Sequence, residues 1–393
     1  MNATRNSVAA KDPSDHPSEF PGPLTRGFTG YRYINPDIDQ VAVDIEDGNE
    51  SALRRQISAC MARSATSVRH LGWPEDPSLS IERLACWEND GVICHDPESV
   101  YIVEYSVDNI TVCGVLVEVD LSGAIGSRIL PHEDISATRI ASMRGHFSVG
   151  HVDIEPILLV QSMTSLARTV IDRTKKTAEA TTSLQTPGMR YRVWRIDDPW
   201  TTATLHAELG RHQVMVADGH HRLASHSSIG HVLAMVTDAE NFPLRLGAIH
   251  RIIPEISLDE IIANASSITF RNFTSNRQED INNFLRECTK KEFIIGDGRR
   301  WKIALLRSDE ALDVSAVHTA FAPATEEVNR HWVYRNQISA AIQVAMDRRG
   351  VVILLKPPHL SSIFKHISTG RLLPEKATSF WPKPPVSMVM RYF

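Results

Sequence analysis

The stretch at residues 213–224, QVMVADGHHRLA, constrains the fold of this chain more than any other. Its first half is a short apolar run with β-branched residues, which predicts a buried strand. Gly219 then allows a tight turn, and the residues that follow it are small or well tolerated in helices. A second apolar run at 231–236 comes directly after Gly230. The stretch therefore predicts a strand, a glycine turn, a short helix and a second strand.

Five residues suited to phosphate chemistry meet at this turn: Asp218, Gly219, His220, His221 and Arg222. A glycine backbone and the amides that begin a helix suit an anion, and an arginine adds a two-pronged contact. Histidines donate hydrogen bonds or move protons near neutral pH, and an aspartate holds a cation or accepts a hydroxyl proton. The alternative is a tight turn whose polar side chains are merely solvated. The five together at a strand end favour a phosphate-binding loop.

Length, charge and cysteine content limit the class of protein. The 393 residues suffice for two or three packed regions, and the formal net charge of −5 removes the usual electrostatic reason to expect nucleic-acid binding. No apolar run approaches the roughly 20 residues of a membrane span. Residues 1–20 are polar and proline-rich, which predicts a mobile tail without a secretory signal core. The five scattered cysteines form no CxxC pair and indicate neither a zinc site nor a disulfide framework, so we expect a cytoplasmic protein.

A β-hairpin is predicted in the first third of the chain. Apolar runs at 99–107 and 111–121 are separated by an Asp-Asn pair, which favours a turn between two strands. Glu104 and Glu118 interrupt these runs. We expect both glutamates on exposed faces of the strands, as solvated charges.

A segment before the central stretch carries a second set of polar residues. His132 and Glu133 stand side by side at the start of a predicted helix, and Arg139 and Arg144 follow along it. A His-Glu pair with two arginines can supply a base and phosphate contacts. The same pattern also occurs as a helix N-terminus with ordinary surface arginines.

Two later segments offer further candidates. The strand predicted at 246–253 carries His250 and Arg251, which either add phosphate contacts beside the central loop or form a surface pair. Residues 373–385 form a coil rich in proline, lysine and aromatic residues, which either folds over a site or is a solvated tail with a docked aromatic. The basic and hydroxyl residues of interest in this coil are Lys376, Thr378 and Lys383.

Three of these pieces together resemble the family known as domain of unknown function 1015. They are the Pro-His-Glu segment with its arginines, the VADGHHRLA box and the closing PEKATSFWPK. The similarity runs from about residue 25 to the C-terminus, and Leu223 and Ala377 depart from the family pattern. That family resembles the ParB/sulfiredoxin superfamily, in which a Gly-His-Arg-type loop at a strand end binds phosphate groups. The superfamily includes kinases of free L-serine, so the resemblance implies phosphoryl transfer to a small hydroxy amino acid.

The expected fold is α/β, with a mixed-sheet ParB/sulfiredoxin-like core between α+β N-terminal and C-terminal regions. After the disordered tail at 1–20, the expected division places the N-terminal region at 21–127. The phosphate-binding core would occupy 128–255, and the C-terminal α/β region 256–393.

The expected function is a Mg²⁺-dependent kinase of a free amino acid such as L-serine, with ATP, ADP or pyrophosphate as the donor. Phosphoryl transfer needs charge neutralisation and alignment more than covalent chemistry. Either Glu133 or Asp218 would accept the hydroxyl proton; Glu133 is favoured as the base, with Asp218 nearer the metal and His220 as a further catalytic residue. The expected phosphate-binding residues are Gly219, His221, Arg222, Arg139, Arg144, His132, His250, Arg251, Lys376, Thr378 and Lys383.

Two other functions stay open at this point. A nucleotide-gated switch of the ParB type would need a DNA-binding helix pair and a basic face, and the negative net charge argues against it. A phosphohydrolase would use the same loop with water as the acceptor, and would consume the donor without any amino acid. The expected partners are small molecules, with no nucleic acid and no membrane, and the oligomeric state is open.

Overall fold

The computed structural model consists of helices packed on a larger and a smaller sheet, with one further two-stranded pairing. It describes residues 24–41, 50–72, 76–238, 240, 244–289, 291–307, 314–325, 331–367 and 369–393. The tail predicted at residues 1–20 lies outside these ranges. Within them, no helix has the length and apolar character that crossing a membrane requires.

The N-terminal part ends in a long β-hairpin. Its elements are β1 Thr25–Arg26, β2 Phe28–Tyr33, α1 Glu50–Arg63, α2 Arg69–Gly72, α3 Leu79–Asn89, β3 Ile93–Val107 and β4 Ile110–Asp120. The turn between β3 and β4 consists of Asp108 and Asn109, with φ angles of 49° and 63°. Two-residue hairpin turns of this kind require positive φ at both positions, which Asp and Asn tolerate. The predicted hairpin is confirmed.

The middle of the chain contains the predicted strand, turn, helix and strand. Its elements are α4 Gly123–Gly126, β5 Ile129–Leu130, α5 Ala137–Gly150, β6 Val152–Asp153, β7 Ile157–Gln161, α6 Ser165–Thr177, β8 Thr182–Gln185, β9 Met189–Ile196, α7 Pro199–Leu209, β10 Val214–Asp218, α8 His220–Ser225 and β11 His231–Asp238. Gly219 separates β10 from α8, as the sequence predicts.

The C-terminal part forms most of a second sheet and then returns to the first. Its elements are β12 Arg245–Ala248, β13 His250–Ile253, α9 Leu258–Asn264, β14 Ile268–Phe273, α10 Gln278–Glu287, β15 Glu292–Gly296, β16 Trp301–Leu306, α11 Val314–Thr325, β17 Val333–Arg335, α12 Ile338–Asp347, β18 Val351–Leu354, α13 Leu360–Ile367, β19 Thr378–Trp381 and β20 Met390–Tyr392.

The larger sheet is mixed. Its main path runs β5-β10-β7-β11-β4-β3-β2-β20-β6, with β1 on β4 and with β9 and β8 attached to β3. β10 is parallel to β5 and β11 is parallel to β7, whereas the other pairings are antiparallel. The predicted α/β class with a mixed sheet is confirmed.

The smaller sheet has six antiparallel strands in the order β14-β16-β15-β18-β13-β17, and β12 pairs separately with β19. Strand pairing crosses both predicted domain boundaries. β4 of the expected N-terminal region pairs with β11 of the expected core, and β13, also expected in the core, lies in the C-terminal sheet. The larger sheet is thus one unit built from the N-terminal, middle and final parts of the chain.

Both faces of the larger sheet are covered. Along β3, Val100 and Ile102 face the core shared with α6 and α7, whereas Tyr101 and Val103 face the core shared with α3 and the C-terminal segment. Side chains of a strand alternate between faces, so covering both faces buries nearly all of them.

The prediction that Glu104 and Glu118 are exposed is wrong, because no face of the hairpin is open. Both residues are less than a tenth exposed. Glu104 forms ion pairs with Lys175 and Arg192, and Glu118 pairs with Arg391. Buried carboxylates are retained in proteins when cations pair with them in this way.

Candidate functional site

The turn at the end of β10 strongly favours glycine. Gly219 has a φ of 94°, and a Cβ atom there would lie 2.7 Å from Cγ2 of Ile157. Both the left-handed backbone and the close approach of β7 make a side chain there unfavourable. The turn therefore places Asp218 at the strand end and starts α8 at His220.

Asp218 is held between two cations. Arg222 Nη2 donates to Oδ2 at 2.7 Å, and Lys383 Nζ lies 3.1 Å from Oδ1. Burial raises the pKa of the Asp218 carboxyl, but the charges of Lys383 and Arg222 outweigh burial and hold the pKa well below its usual range. Asp218 is an anion whose two oxygens are both engaged.

Arg222 is turned towards the protein. Its Nη1 donates to the carbonyl oxygens of Glu155 and Pro156 at 2.9 and 2.8 Å, and its Nη2 donates to Asp218. These contacts tie α8 to the segment that precedes β7. In this arrangement both terminal nitrogens of Arg222 donate to protein oxygens, and Arg222 orients Asp218.

His132, Glu133 and Thr378 form a buried chain of hydrogen bonds. The Thr378 amide donates to Glu133 Oε1 at 2.7 Å, and the Thr378 hydroxyl lies 2.5 Å from the same oxygen. His132 Nε2 lies 2.7 Å from that hydroxyl, and His132 Nδ1 lies 2.7 Å from the carbonyl oxygen of Val216 in β10. The chain joins the Pro-His-Glu segment, the central strand and the C-terminal coil in one place.

The hydrogen bonds among His132, Thr378 and Glu133 restrict which atoms can carry protons. The Val216 carbonyl accepts only, so His132 Nδ1 carries a proton. Thr378 has one hydroxyl proton and can donate it either to Glu133 or to His132 Nε2, not to both. When Thr378 donates to Glu133, its contact with His132 requires a proton on Nε2. The three side chains can therefore pass a proton between them.

Glu133 is ionised and only partly bonded. Burial raises the pKa of its carboxyl, but the hydrogen bond to His132 and the neighbouring His220 and Thr378 lower it to about 2. The contacts of its carboxylate with Thr378 and with His132 both involve Oε1. Within the described part of the chain, Oε2 accepts no hydrogen bond. Glu133 thus keeps one free acceptor oxygen.

His220 packs against His132. The rings meet edge to face with centroids 4.5 Å apart, and the His132 amide donates to His220 Nε2 at 3.4 Å. Burial lowers the pKa of His220 to about 4, against the opposite influence of Glu133. His220 is therefore neutral at physiological pH, and it closes the inner side of the site.

Lys376 brings a cation to the site that has no partner among the described residues. Its backbone is left-handed, with a φ of 60°, and its carbonyl oxygen accepts from Arg251 Nη2 at 2.9 Å. In the described ranges no hydrogen bond or ion pair engages its ammonium group. Burial and then the charges of Arg139 and Lys383 lower the pKa of Lys376, whereas Asp218 and Glu133 act in the opposite direction.

His221, Arg139 and Glu375 form the outer edge of the site. The Ser136 amide donates to His221 Nε2 at 3.0 Å, and Glu375 Oε1 lies 3.4 Å from Arg139 Nη1 and 3.6 Å from His221 Nε2. Burial and the charge of Arg139 lower the pKa of His221. The Arg139 side chain is more than half exposed and is free to turn towards an anion.

Three predicted phosphate ligands are directed elsewhere. Arg144 donates to Ala224 O and Ser227 Oγ at the far end of α8. His250 is buried in the smaller sheet and accepts from the Leu355 amide at 3.2 Å. Arg251 is wholly buried and donates to protein acceptors. All three side chains engage protein groups around the site.

Two further residues of the site, Glu375 and Tyr334, are not among those predicted from the sequence. Glu375 lies between Arg139 and His221, and its signal in the sequence is its place in the closing PEKATSFWPK segment. Tyr334 on β17 lies under the Arg251 guanidinium, 5.5 Å from ring centroid to Cζ. No motif surrounds Tyr334 in the sequence, because strand pairing alone brings β17 beside β13.

The residues do not fit the expected Mg²⁺ site at Asp218. A Mg²⁺ ion needs free oxygen ligands, and each oxygen of Asp218 already faces a lysine or an arginine. A third cation there would be repelled. Among the residues that the structure describes, no three His, Cys, Asp or Glu side chains are grouped to hold a metal ion.

The chain belongs to the family described as Protein of unknown function (DUF1015), whose model matches residues 28–320. Lys376, Thr378 and Lys383 lie beyond the matched range. No curated protein matches the chain in sequence.

Several solved structures are distantly similar to the chain. A free serine kinase in complex with AMP is 12% identical and has a TM-score of 0.42, over 70% of this chain and 92% of that chain. SbnI with C-terminal truncation from Staphylococcus aureus is 13% identical, with a TM-score of 0.42 over 70% and 87%. A conserved hypothetical protein from Pyrococcus furiosus is 11% identical, with a TM-score of 0.40 over 70% and 95%.

Proposed function

We propose that this protein is a phosphotransferase that moves a phosphoryl group to the side-chain hydroxyl of a free amino acid. One observation carries the proposal: in the described residues, the oxygen of the ionised Glu133 that accepts no hydrogen bond lies in the same cluster as the Lys376 ammonium, which has no partner there. A carboxylate able to take a proton, beside a cation able to hold a phosphate, is what hydroxyl phosphorylation requires.

The donor phosphates are assigned to the basic side of the cluster. Lys376, Lys383 and the exposed Arg139 neutralise their charge, and the backbone at Gly219 offers close approach. Lys383 also fixes Asp218 beside this position. These three basic side chains are assigned to neutralise the phosphate charge. Asp218 is not proposed as a metal ligand.

Glu133 is assigned as the general base. The acceptor hydroxyl gives its proton to Glu133 Oε2 while its oxygen bonds to the terminal phosphorus of the donor. The bond from that phosphorus to the bridging oxygen breaks, and the shortened donor leaves with the electron pair. The Thr378 amide and hydroxyl hold Oε1 of Glu133 in place while Oε2 takes the proton.

Glu133 is favoured over Asp218 as the base because of their different contacts. Both oxygens of Asp218 are bonded to cations, so protonating Asp218 would break two ion pairs. Glu133 can take a proton on Oε2 without losing the contact of Oε1 with Thr378. L-Serine is the acceptor that the family resemblance implies, with ATP, ADP or pyrophosphate as the donor.

A screen of hydroxy amino acids against ATP, ADP and pyrophosphate, followed by phosphorus NMR, tests this proposal. We expect a new phosphomonoester resonance that depends on one of the amino acids. Donor loss without any amino acid would favour the phosphohydrolase, and no phosphomonoester with any pair would contradict the kinase.

Glu133→Gln should abolish the phosphomonoester signal, and Glu104→Gln is the matched control. Glu104 is also a buried, cation-paired glutamate, but Lys175 and Arg192 hold it away from the site. We expect the control to keep the signal of the unaltered protein.

A further inference from the structure

Arg251 on β13 links the smaller sheet to the site that contains Glu133, Lys376 and Thr378. Its side chain has no exposed surface. Its Nε donates to His318 Nε2 at 3.2 Å, its Nη1 donates to the carbonyl of Ile249, and its Nη2 donates to the carbonyl of Lys376 at 2.9 Å. The Tyr334 ring covers its face. The guanidinium is thus held on every side by protein groups.

This arrangement leaves Arg251 unable to reach a ligand directly. An arginine that binds phosphate presents two parallel N–H groups to it. Here both terminal nitrogens donate to backbone carbonyls, and the residue is buried beneath the site. Arg251 can therefore influence phosphate binding through its charge or through a residue that it contacts, but not by touching the phosphate.

Lys376 is the contact that matters for the site. A lysine with a φ of 60° holds a conformation that L side chains rarely adopt, and it keeps that conformation only when its surroundings fix it. The hydrogen bond from Arg251 fixes the Lys376 carbonyl. The direction of the Lys376 side chain depends on that same backbone, and its ammonium has no partner in the described residues to hold it.

We propose that Arg251 is a positioning residue that aims the Lys376 ammonium at the donor phosphates by holding the Lys376 carbonyl. This inference rests on the proposed function only for the identity of the bound phosphate. The smaller sheet therefore takes part in phosphate binding, although its own side chains do not touch the phosphate.

Geometry and charge make different predictions for one substitution. Arg251→Lys keeps a buried positive charge but cannot reach three separate acceptors with a planar fork. If Arg251 acted through its charge, Arg251→Lys would bind pyrophosphate like the unaltered protein. Positioning predicts instead that Arg251→Lys binds pyrophosphate about tenfold more weakly, the lower end of the range for a charged hydrogen bond.

A double-mutant cycle isolates the link to Lys376. The dissociation constant of pyrophosphate is measured by calorimetry for Arg251→Lys, Lys376→Met and the double variant of the full chain. We expect Lys376→Met to weaken binding by about tenfold or more, and the double variant to be no weaker than Lys376→Met alone. If the fold-increases in the dissociation constant for the two single variants multiply in the double variant, Arg251 and Lys376 act independently and the proposal is overturned.

Arg69→Gln is the control for general destabilisation. Arg69 is another buried arginine, but it lies on α2 in the N-terminal part. It should lower the melting temperature without changing the affinity for pyrophosphate. An equal loss of affinity in Arg69→Gln would show that Arg251 has a merely structural role.

The binding assay also separates this inference from the proposed function. Pyrophosphate binding that follows the predicted cycle, in a protein that phosphorylates no amino acid, would support the positioning role and reject the kinase. If the unaltered protein binds neither pyrophosphate nor ADP, the positioning role is wrong as well.

Discussion

Two buried clusters of charged residues lie in the larger sheet and its flanks, and they differ in how completely their charges are paired. The Arg391 cluster consists of Glu118, Asp153, His226, His231 and Arg391. Arg391 bonds both carboxylates, and His226 Nε2 lies 2.7 Å from Asp153. This cluster joins the C-terminal strand β20 to β4, β6 and β11, and its acids are all matched by cations or histidines.

The Glu133 cluster consists of His132, Glu133, Asp218, Lys376, Thr378 and Lys383. It is also largely buried, but Lys376 and one oxygen of Glu133 lack partners among the described residues. Burying a charge without a partner is costly. A cluster whose charges are matched is explained by folding alone, whereas we propose that a ligand completes the unmatched charges at the end of β10.

Substitution of Glu133 is expected to have the largest effect. If Glu133 accepts the hydroxyl proton, Glu133→Gln should lower kcat by about 10²–10⁴-fold, the usual contribution of a general base. The KM of the donor should change much less, because the base acts on the acceptor. Steady-state kinetics with saturating donor measure both parameters, and a kcat within about twofold of normal would remove Glu133 from the mechanism.

Arg391→Gln tests the other cluster through stability. Removing Arg391 leaves Glu118 and Asp153 without their shared cation, so the free energy of unfolding should fall by about 3–5 kcal/mol. The control Arg277→Gln removes an exposed pair with Glu279 and should cost less than about 1 kcal/mol. Urea denaturation measures both. Equal losses in the two variants would show that the Arg391 cluster is not the stabilising one.

The pH dependence of stability provides a test of His220. Its pKa is about 4 when folded, against 6.5 unfolded, because burial disfavours the imidazolium. The folded protein therefore binds fewer protons, so this contribution is complete above pH 6.5 and is lost as the pH falls towards 4. The shift corresponds to about 3 kcal/mol.

The measurement compares His220→Asn with the unaltered protein from pH 7 to 4. The gap between their free energies of unfolding should shift by about 3 kcal/mol in favour of the variant as the pH falls. If the difference in free energy of unfolding does not depend on pH, burial does not lower the pKa of His220.

Gly219→Ala should have the smallest effect on stability, about 2–3 kcal/mol, from the left-handed backbone together with the clash with Ile157. Gly370→Ala is the matched control, because Gly370 has a φ of 71° but open space around it. Its cost should be about 1 kcal/mol. Equal costs, measured by thermal unfolding, would show that the approach of β7 does not restrict the turn.

The sequence predicts the local parts of the fold well. The Asp-Asn turn of the hairpin and the glycine between β10 and α8 are fixed by backbone conformations that few residues adopt. The burial of Glu104 and Glu118 cannot be predicted from the local sequence, because it depends on elements far along the chain. Lys175 on α6 and Arg391 on β20 pair with them, and no local pattern indicates that pairing.

The candidate site is only partly predictable for the same reason. The glutamate of the Pro-His-Glu segment and Thr378 are separated by 245 positions, and only the family resemblance links them in the sequence. The orientation of a side chain is harder still. Arg222 and Arg251 resemble phosphate ligands by residue type. In the structure their guanidinium N–H groups donate to backbone carbonyls of distant segments.

The comparison of the two clusters is tested most directly by calorimetric titration of pyrophosphate into the unaltered protein, Lys376→Met and Arg391→Gln. We predict that Lys376→Met weakens binding by about tenfold or more. Arg391→Gln should bind pyrophosphate like the unaltered protein at a temperature where it is fully folded. Binding that survives in Lys376→Met and is lost in Arg391→Gln would contradict the assignment of the phosphate site to the Glu133 cluster.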